Sequence, residues 1–219
     1  MKKIHRFFLP PDLAHQLRDV LKMEKGKEID LLDGHGIEAR ANIVATDPVE
    51  VELVSIKQSE AEPTRRVILY AAILKREHFE LIVQKATEVG VAKIIPIITA
   101  RTVKTGLKLD RLRKIASEAA EQSGRGVVPI VHEAMTFTQA LIDAAKNDTN
   151  ILLHPGSTNR QSRNYGSIGI FIGPEGGWTD RAITLAKEAG SELLGLGPLV
   201  MRGETAAVIA SYLAVHAKI

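Results

Sequence analysis

Three glycine-dense turns carry the residues of this chain best suited to chemistry: His154-Pro155-Gly156, Gly173-Pro174-Glu175-Gly176-Gly177, and the run from Gly195 to Gly203, which leads into Glu204 and Thr205. Each alone reads as loop punctuation, because glycine and proline end strands in any α/β protein. As a group they say more. The second and third both precede a helical pattern, where backbone stripped of side chains lets a ligand come close. Such a turn ordinarily signals phosphate, held by backbone N–H groups and the helix dipole. Glu175 opposes that reading, and neither GxxxxGK(S/T) nor GxGxxG opens the α/β region. A ligand with hydroxyls or a positive centre, and no phosphate, suits the carboxylate better. Arg202 stands at or just before a helix start, where the dipole disfavours a cation, so it is either solvated or recruited; Glu204 in the first turn is favoured there. Glu204 and Thr205 read equally well as plain helix initiation. Arg125 follows Gln122 and Ser123 at the end of another helix, with Gly124 as cap, and taken alone is the cation a helix C-terminus favours.

The elements that must position these turns follow from periodicity. From Ser59 to Arg66 the chain is polar and carries Pro63, which marks a domain boundary. Before it, Pro10 and Pro11 open a helix to Met23 with Leu13, Leu17, Val20 and Leu21 at helical spacing, and Glu28 to Ile56 alternates as three short strands with turns at Asp33–Gly36 and Asp47-Pro48. After it the rhythm is βαβα: strand 67–74, helix 77–89, strand 93–99, helix 109–121 with Leu112, Ile115, Ala116 and Ala119 inward, strands 150–155 and 167–174, helix 179–189, strand 192–198 and a last helix from Glu204. Strands alternating with helices predict a mostly parallel sheet covered on both faces, with ligands beyond the carboxyl ends of its strands.

Composition narrows the chemistry. The 219 residues contain no cysteine, which excludes disulfides, thiolate zinc sites, iron–sulfur ligation and a cysteine nucleophile. A net charge of +3 permits nucleic acid without demanding it. Basic residues gather at Lys2, Lys3 and Arg6 and again at Arg101, Lys104, Lys108, Arg111, Arg113 and Lys114, the latter set diluted by Asp110, Glu118 and Glu121. No apolar run reaches membrane-spanning length, and the basic start is not followed by an apolar signal core, so a cytoplasmic location without a membrane partner is expected.

Five segments in this order, HRFFLP, KATEVGVAKIIPI, EAAEQSGRGVVPIV, IGPEGGWTD and LGPLVMRGETAAV, resemble the bacterial ribosomal RNA small-subunit methyltransferase E family over essentially the whole chain. The resemblance implies an α/β fold of two domains: a PUA-like RNA-binding β-barrel over residues 1–62, and a SPOUT-type methyltransferase domain over 66–219 with a C-terminal trefoil knot. It implies methylation at N3 of a uridine in 16S ribosomal RNA, free or in the assembled small subunit, by a homodimer that uses S-adenosylmethionine and no metal. The cofactor walls would be His154, Gly173, Glu175, Gly176, Gly177, Leu196, Gly197, Leu199 and Met201, with Glu175 accepting from a hydroxyl or facing the sulfonium. Arg125 and Arg202 would stabilise the uracil anion, and Glu204 would accept a proton or orient Arg202. Arg6, Arg101, Lys104 and Arg125 would contact RNA, and Ala207, Ile209, Ala210, Leu213 and Ala214 would form the dimer face. The chemistry agrees with the missing cysteines, because pyrimidine C5 methylation uses a thiolate, whereas a ring nitrogen needs only deprotonation and in-line attack. Three positions depart from the pattern common in relatives: Leu199 and Gly203 stand for the first Arg and the Thr of LGPRVLRTETA, and Ala182 for a Glu. The alternatives are a methyltransferase of the same fold acting on another RNA such as tRNA, and an RNA-binding relative without turnover.

Overall fold

The computed structural model describes residues 5–103, 106–157 and 165–216. The chain divides into two compact units. The first runs through Ala61 and takes in Arg125–Val127; the second holds Glu62–Gly124 and the chain from Val128 onward.

In the first unit, β1 (Arg6–Phe8), β2 (Glu28–Leu32), β3 (Ile37–Thr46) and β4 (Val49–Gln58) form an antiparallel sheet in the order β1-β4-β3-β2. One face buries Ile29, Ala41, Ile43, Val49 and Val51 against Leu9 and Leu17, as period-two alternation requires. The expected helix from Pro10 is α1 (Pro11–His15) followed by a turn of π-helix over Gln16–Val20, so the 3.6-residue spacing persists for only part of the segment. The three expected strands are present, two of them ten residues long, and β1 joins them as an edge strand. Gly36 N–H donates to the Gly126 carbonyl at 2.9 Å, and a side chain at Gly126 would lie 2.3 Å from Ser59 Cβ, so only glycine lets that segment join this unit.

The second unit is a seven-stranded parallel sheet. Its strands β5 (Arg66–Ala72), β6 (Lys93–Ile98), β7 (Ile130–Val131), β8 (Met135–Thr136), β9 (Thr149–Leu153), β10 (Ser167–Ile172) and β11 (Glu192–Leu194) run in the order β11-β9-β10-β5-β6-β7, with β8 also paired to β6. Successive side chains of β5 point to opposite faces, and both faces are dry. Val67, Leu69 and Ala71 pack with residues of α2 (Arg76–Glu88), α3 (Leu109–Gln122) and α6 (Gly203–His216). Ile68, Tyr70 and Ala72 pack with α4 (Phe137–Ala144) and α5 (Asp180–Glu188). On that second face Tyr70 stacks on Phe171 at 4.5 Å between centroids, Phe137 meets Phe171 edge-on, and Trp178 lies 5.0 Å from Phe137. This aromatic row runs from the sheet centre out to the glycine-rich turn after β10.

Candidate functional site

The turns after β9, β10 and β11 leave the carboxyl ends of three neighbouring strands, so the sheet order brings together loops that are far apart in sequence. After β10 the chain enters Gly173, buries Pro174 and raises Glu175, Gly176 and Gly177 to the surface as a crest. Gly177 N–H closes the turn on the Pro174 carbonyl at 2.8 Å with φ +69°, a conformation that favours glycine. Trp178 then returns to the core, 8% exposed, and its indole N–H donates to the Leu153 carbonyl at 2.9 Å, stitching this loop to the end of β9. Thr179 caps α5 by accepting from Ala182 N–H.

These contacts explain the glycines. A Cβ at Gly173 would lie 3.1 Å from both Nε1 and Cε2 of Trp178, so the absent side chain makes room for the chain's own indole. At Gly195 it would sit 2.7 Å from the Ser157 carbonyl oxygen, closing the first loop on the third, whereas at Gly176 it would make only an ordinary contact, 3.4 Å from Arg101 Cδ. Gly177 and Gly197, both at positive φ, have open space where a Cβ would stand. Gly203 allows Leu74 to close over the start of α6, since a Cβ would lie 2.9 Å from Leu74 Cδ1 and 3.6 Å from the Gly173 carbonyl oxygen. That packing is the physical counterpart of the Gly203 departure.

Glu175 has a partner in its own chain: Lys75 N–H, at the N-cap of α2, approaches its Oε1 at 3.5 Å, a long contact at a helix end that favours negative charge. His154 N–H donates to the Leu194 carbonyl at 2.9 Å, and its Nδ1 stands 3.5 Å from Ser157 Oγ. Leu196 is half-buried against the core, Met201 half-buried, and Leu199 and Val200 are 76% and 80% exposed. The loops thus offer bare backbone, apolar side chains and one surface carboxylate, a lining that fits an apolar-bodied ligand with hydroxyls or positive charge and suits an anion poorly.

Glu204, 8% exposed, places Oε2 3.6 Å from His78 Nδ1, which is buried and has no hydrogen-bond partner; Arg202 extends to solvent. Glu204 thus sits at the junction of α6 with α2. Arg125 is 5% exposed and groups with the first unit. Arg101 donates to the carbonyls of Gly176 and, at 3.3 Å, Trp178. Arg6 is paired with Glu52 at 2.7 Å, and Arg111 grips both oxygens of Glu80. Lys104, Lys2 and Lys3 lie outside the described residues. Of the expected dimer face, Ala207, Ala210 and Ala214 turn into the chain's own core, leaving Ile209 and Leu213 half-buried beside Tyr212, 53% exposed. Among the described residues no group of three or more metal-ligating side chains is assembled, and no helix is long and apolar enough to cross a membrane. His78, Lys75 and Leu74 were not legible as site residues, because only tertiary packing places the start of α2 beside Glu175 and Glu204. Trp178 carried a signal: the single tryptophan of the chain, adjoining its glycine-rich turn.

A parallel sheet with these loops gathered at its carboxyl edge is an α/β ligand-binding architecture, and the match of the RNA methyltransferase domain family to residues 60–215 makes it that of an α/β methyltransferase. The ribosomal RNA small subunit methyltransferase E of Synechocystis sp. is 34% identical over 90% of this chain and 68% of its own, and that of Bacillus subtilis 30% identical over 93% and 87%. The crystal structure of a ribosomal RNA small subunit methyltransferase E from Neisseria gonorrhoeae bound to S-adenosylmethionine superposes with TM-score 0.87 at 27% identity, covering 96% of this chain and 91% of that one. The chain belongs to the ribosomal RNA small subunit methyltransferase E family.

Proposed function

We propose that this chain methylates ribosomal RNA with S-adenosylmethionine, and that the target is N3 of a uridine in 16S ribosomal RNA. The observation that carries the reading is the gathering of the loops after β9, β10 and β11 into one glycine-lined edge that carries a carboxylate and lacks a phosphate-binding motif. Family membership and the cofactor-bound Neisseria gonorrhoeae relative support it.

His154, Gly173, Glu175, Gly176, Gly177, Leu196, Gly197, Leu199 and Met201 are the proposed holding residues; S-adenosylmethionine supplies an electrophilic methyl group when bound. The chain's own work is to hold, exclude water and stabilise charge. Backbone at Gly177 and Gly197 is open to a close-lying ligand, Leu196 and Met201 add apolar contact, and Glu175 complements a hydroxyl or positive centre. As uracil N3 gives up its proton, negative charge spreads to its flanking oxygens, and the exposed guanidinium of Arg202 is the proposed electrostatic partner for them. Glu204, beside His78 and two residues beyond Arg202, is the proposed acceptor of that proton or the orienter of Arg202. Arg125 remains a proposed second cation, and Arg6, Arg101, Lys104 and Arg125 proposed RNA contacts.

The antiparallel sheet of the first unit is the proposed PUA-like RNA-binding domain, the C-terminal loops of the second the proposed trefoil knot, and a cytoplasmic homodimer the proposed working form. Nucleoside mass spectrometry of ribosomal RNA from cells with and without the gene tests the proposal. Loss of 3-methyluridine from 16S RNA is expected; an unchanged ribosomal nucleoside profile, or a loss confined to tRNA, refutes it.

A further inference from the structure

The crest Glu175-Gly176-Gly177 is exposed, and its one internal backbone hydrogen bond is Gly177 N–H to Pro174. Two glycines in succession leave such a turn many conformations, and freezing them on ligand binding costs affinity unless something orders them beforehand. Arg101 is built to do this. It stands in the turn after β6, itself tied by Thr99 N–H to Thr102 Oγ1 at 2.9 Å, Thr102 N–H to the Thr99 carbonyl at 3.1 Å, and Arg101 N–H to Thr99 Oγ1 at 3.3 Å. β5 lies between β6 and β10 in the sheet, so the side chain reaches past one strand to donate to the Gly176 and Trp178 carbonyls. Its stem lies alongside Gly176, where an added Cβ would stand 3.4 Å from Arg101 Cδ and 3.7 Å from its Cβ.

We propose that Arg101 is a positioning residue for the cofactor loop: a strap from the β6 turn that fixes the Gly176–Trp178 backbone in its ligand-ready form, acting in the absence of RNA. The inference rests on the reading of this loop as a cofactor wall. It gives Arg101 a role beyond its proposed RNA contact, because removing a residue that serves phosphate alone leaves cofactor affinity untouched.

The test uses the full chain without RNA. Calorimetric titration with S-adenosylmethionine compares wild type with Arg101→Ala and Arg101→Lys, and acrylamide quenching of Trp178, the single tryptophan, reads loop order directly. Losing charged hydrogen bonds to the loop weakens binding by about tenfold to a hundredfold in the alanine variant. The lysine variant falls between, because an ammonium keeps charge but not the planar fork. Quenching of Trp178 rises in both, with far-UV circular dichroism unchanged, a signature that general destabilisation does not produce. Wild-type affinity in Arg101→Ala with unaltered quenching overturns the strap. If wild type itself fails to bind, the functional reading falls, and the quenching comparison alone decides the strap.

Discussion

Gly173→Ala separates two explanations of the glycine that opens the turn after β10. If the position is bare to admit a ligand, the substitution leaves the free protein's stability alone. The structure says otherwise: the added Cβ lies 3.1 Å from Nε1 and Cε2 of Trp178, where carbon contacts normally sit at about 3.5–4.0 Å, so the indole must retreat by roughly half an ångström. That retreat strains the 2.9 Å bond from Trp178 to the Leu153 carbonyl and the contact with Phe137 at the end of the aromatic row. Overpacking of this kind costs about 1–3 kcal/mol, and an orphaned buried donor a similar amount; because both describe one displacement they do not add. About 2 kcal/mol is expected, or roughly 4–8 °C in melting temperature for a chain of this size. The assay is urea denaturation of the free protein followed by far-UV circular dichroism, run as a cycle with Trp178→Phe, which removes the ring atoms that clash. The double variant is expected to be more stable than the sum of the singles predicts, by about 1 kcal/mol or more. A Gly173→Ala protein within 0.5 kcal/mol of wild type, roughly the scatter of innocuous surface changes, or strict additivity, refutes the packing explanation.

Arg202→Ala should keep S-adenosylmethionine affinity and slow single-turnover methyl transfer by a hundredfold to a thousandfold, about 2.7–4 kcal/mol of barrier, with Arg202→Lys recovering little; a near-normal rate removes the assigned role. Arg125→Ala, in contrast, truncates a residue that is buried and has an interaction partner, and should lower stability by about 2–3 kcal/mol in denaturant titrations of the free protein; unchanged stability contradicts a structural contribution from its side chain. Tyr70 and Asp143 share a 2.9 Å hydrogen bond, with Lys146 holding the Asp143 carboxyl below its usual range and burial pushing the Tyr70 phenol up. The depressed carboxylate contributes stability above about pH 3.9 that is lost as pH falls through its own lower value. The raised phenol contributes stability below about pH 10 that is lost as pH rises through its folded-state value. Asp143→Asn should flatten the acid limb of stability against pH and Tyr70→Phe the alkaline limb; slopes identical to wild type would discount this pair.

What the sequence made legible follows from where each signal resides. β5, β6, β9 and β10 are apolar runs because both faces of a parallel strand are covered, and a run of that kind is readable without knowing its neighbours. β1, β7 and β8 are two or three residues long and owe their pairing to strands distant in sequence, so no local pattern marks them. α4 did carry a local signal that periodicity alone passed over: Thr136 and Gln139 form a capping box, each side chain satisfying the other's backbone N–H. The glycine-rich turns were recognisable as a group, but not the reasons for their composition. Gly173 serves Trp178, Gly195 serves Ser157 and Gly203 serves Leu74, contacts fixed only when the sheet order is known. Glu204 drew notice through its place at a helix start, whereas His78, its neighbour in space, lies more than a hundred residues earlier on α2 and looks like any helical surface residue.

The proposed reaction is transfer of a methyl group to one ring nitrogen of small-subunit RNA. It is tested most directly by incubating the purified chain with small ribosomal subunits from cells lacking the gene and S-adenosylmethionine labelled in its methyl group, then digesting the RNA and separating its nucleosides. Label is expected in 3-methyluridine from a single position of 16S RNA, and none when subunits already carry the modification. Label at C5, on ribose or on tRNA, or no transfer by a chain shown to bind S-adenosylmethionine, would contradict it.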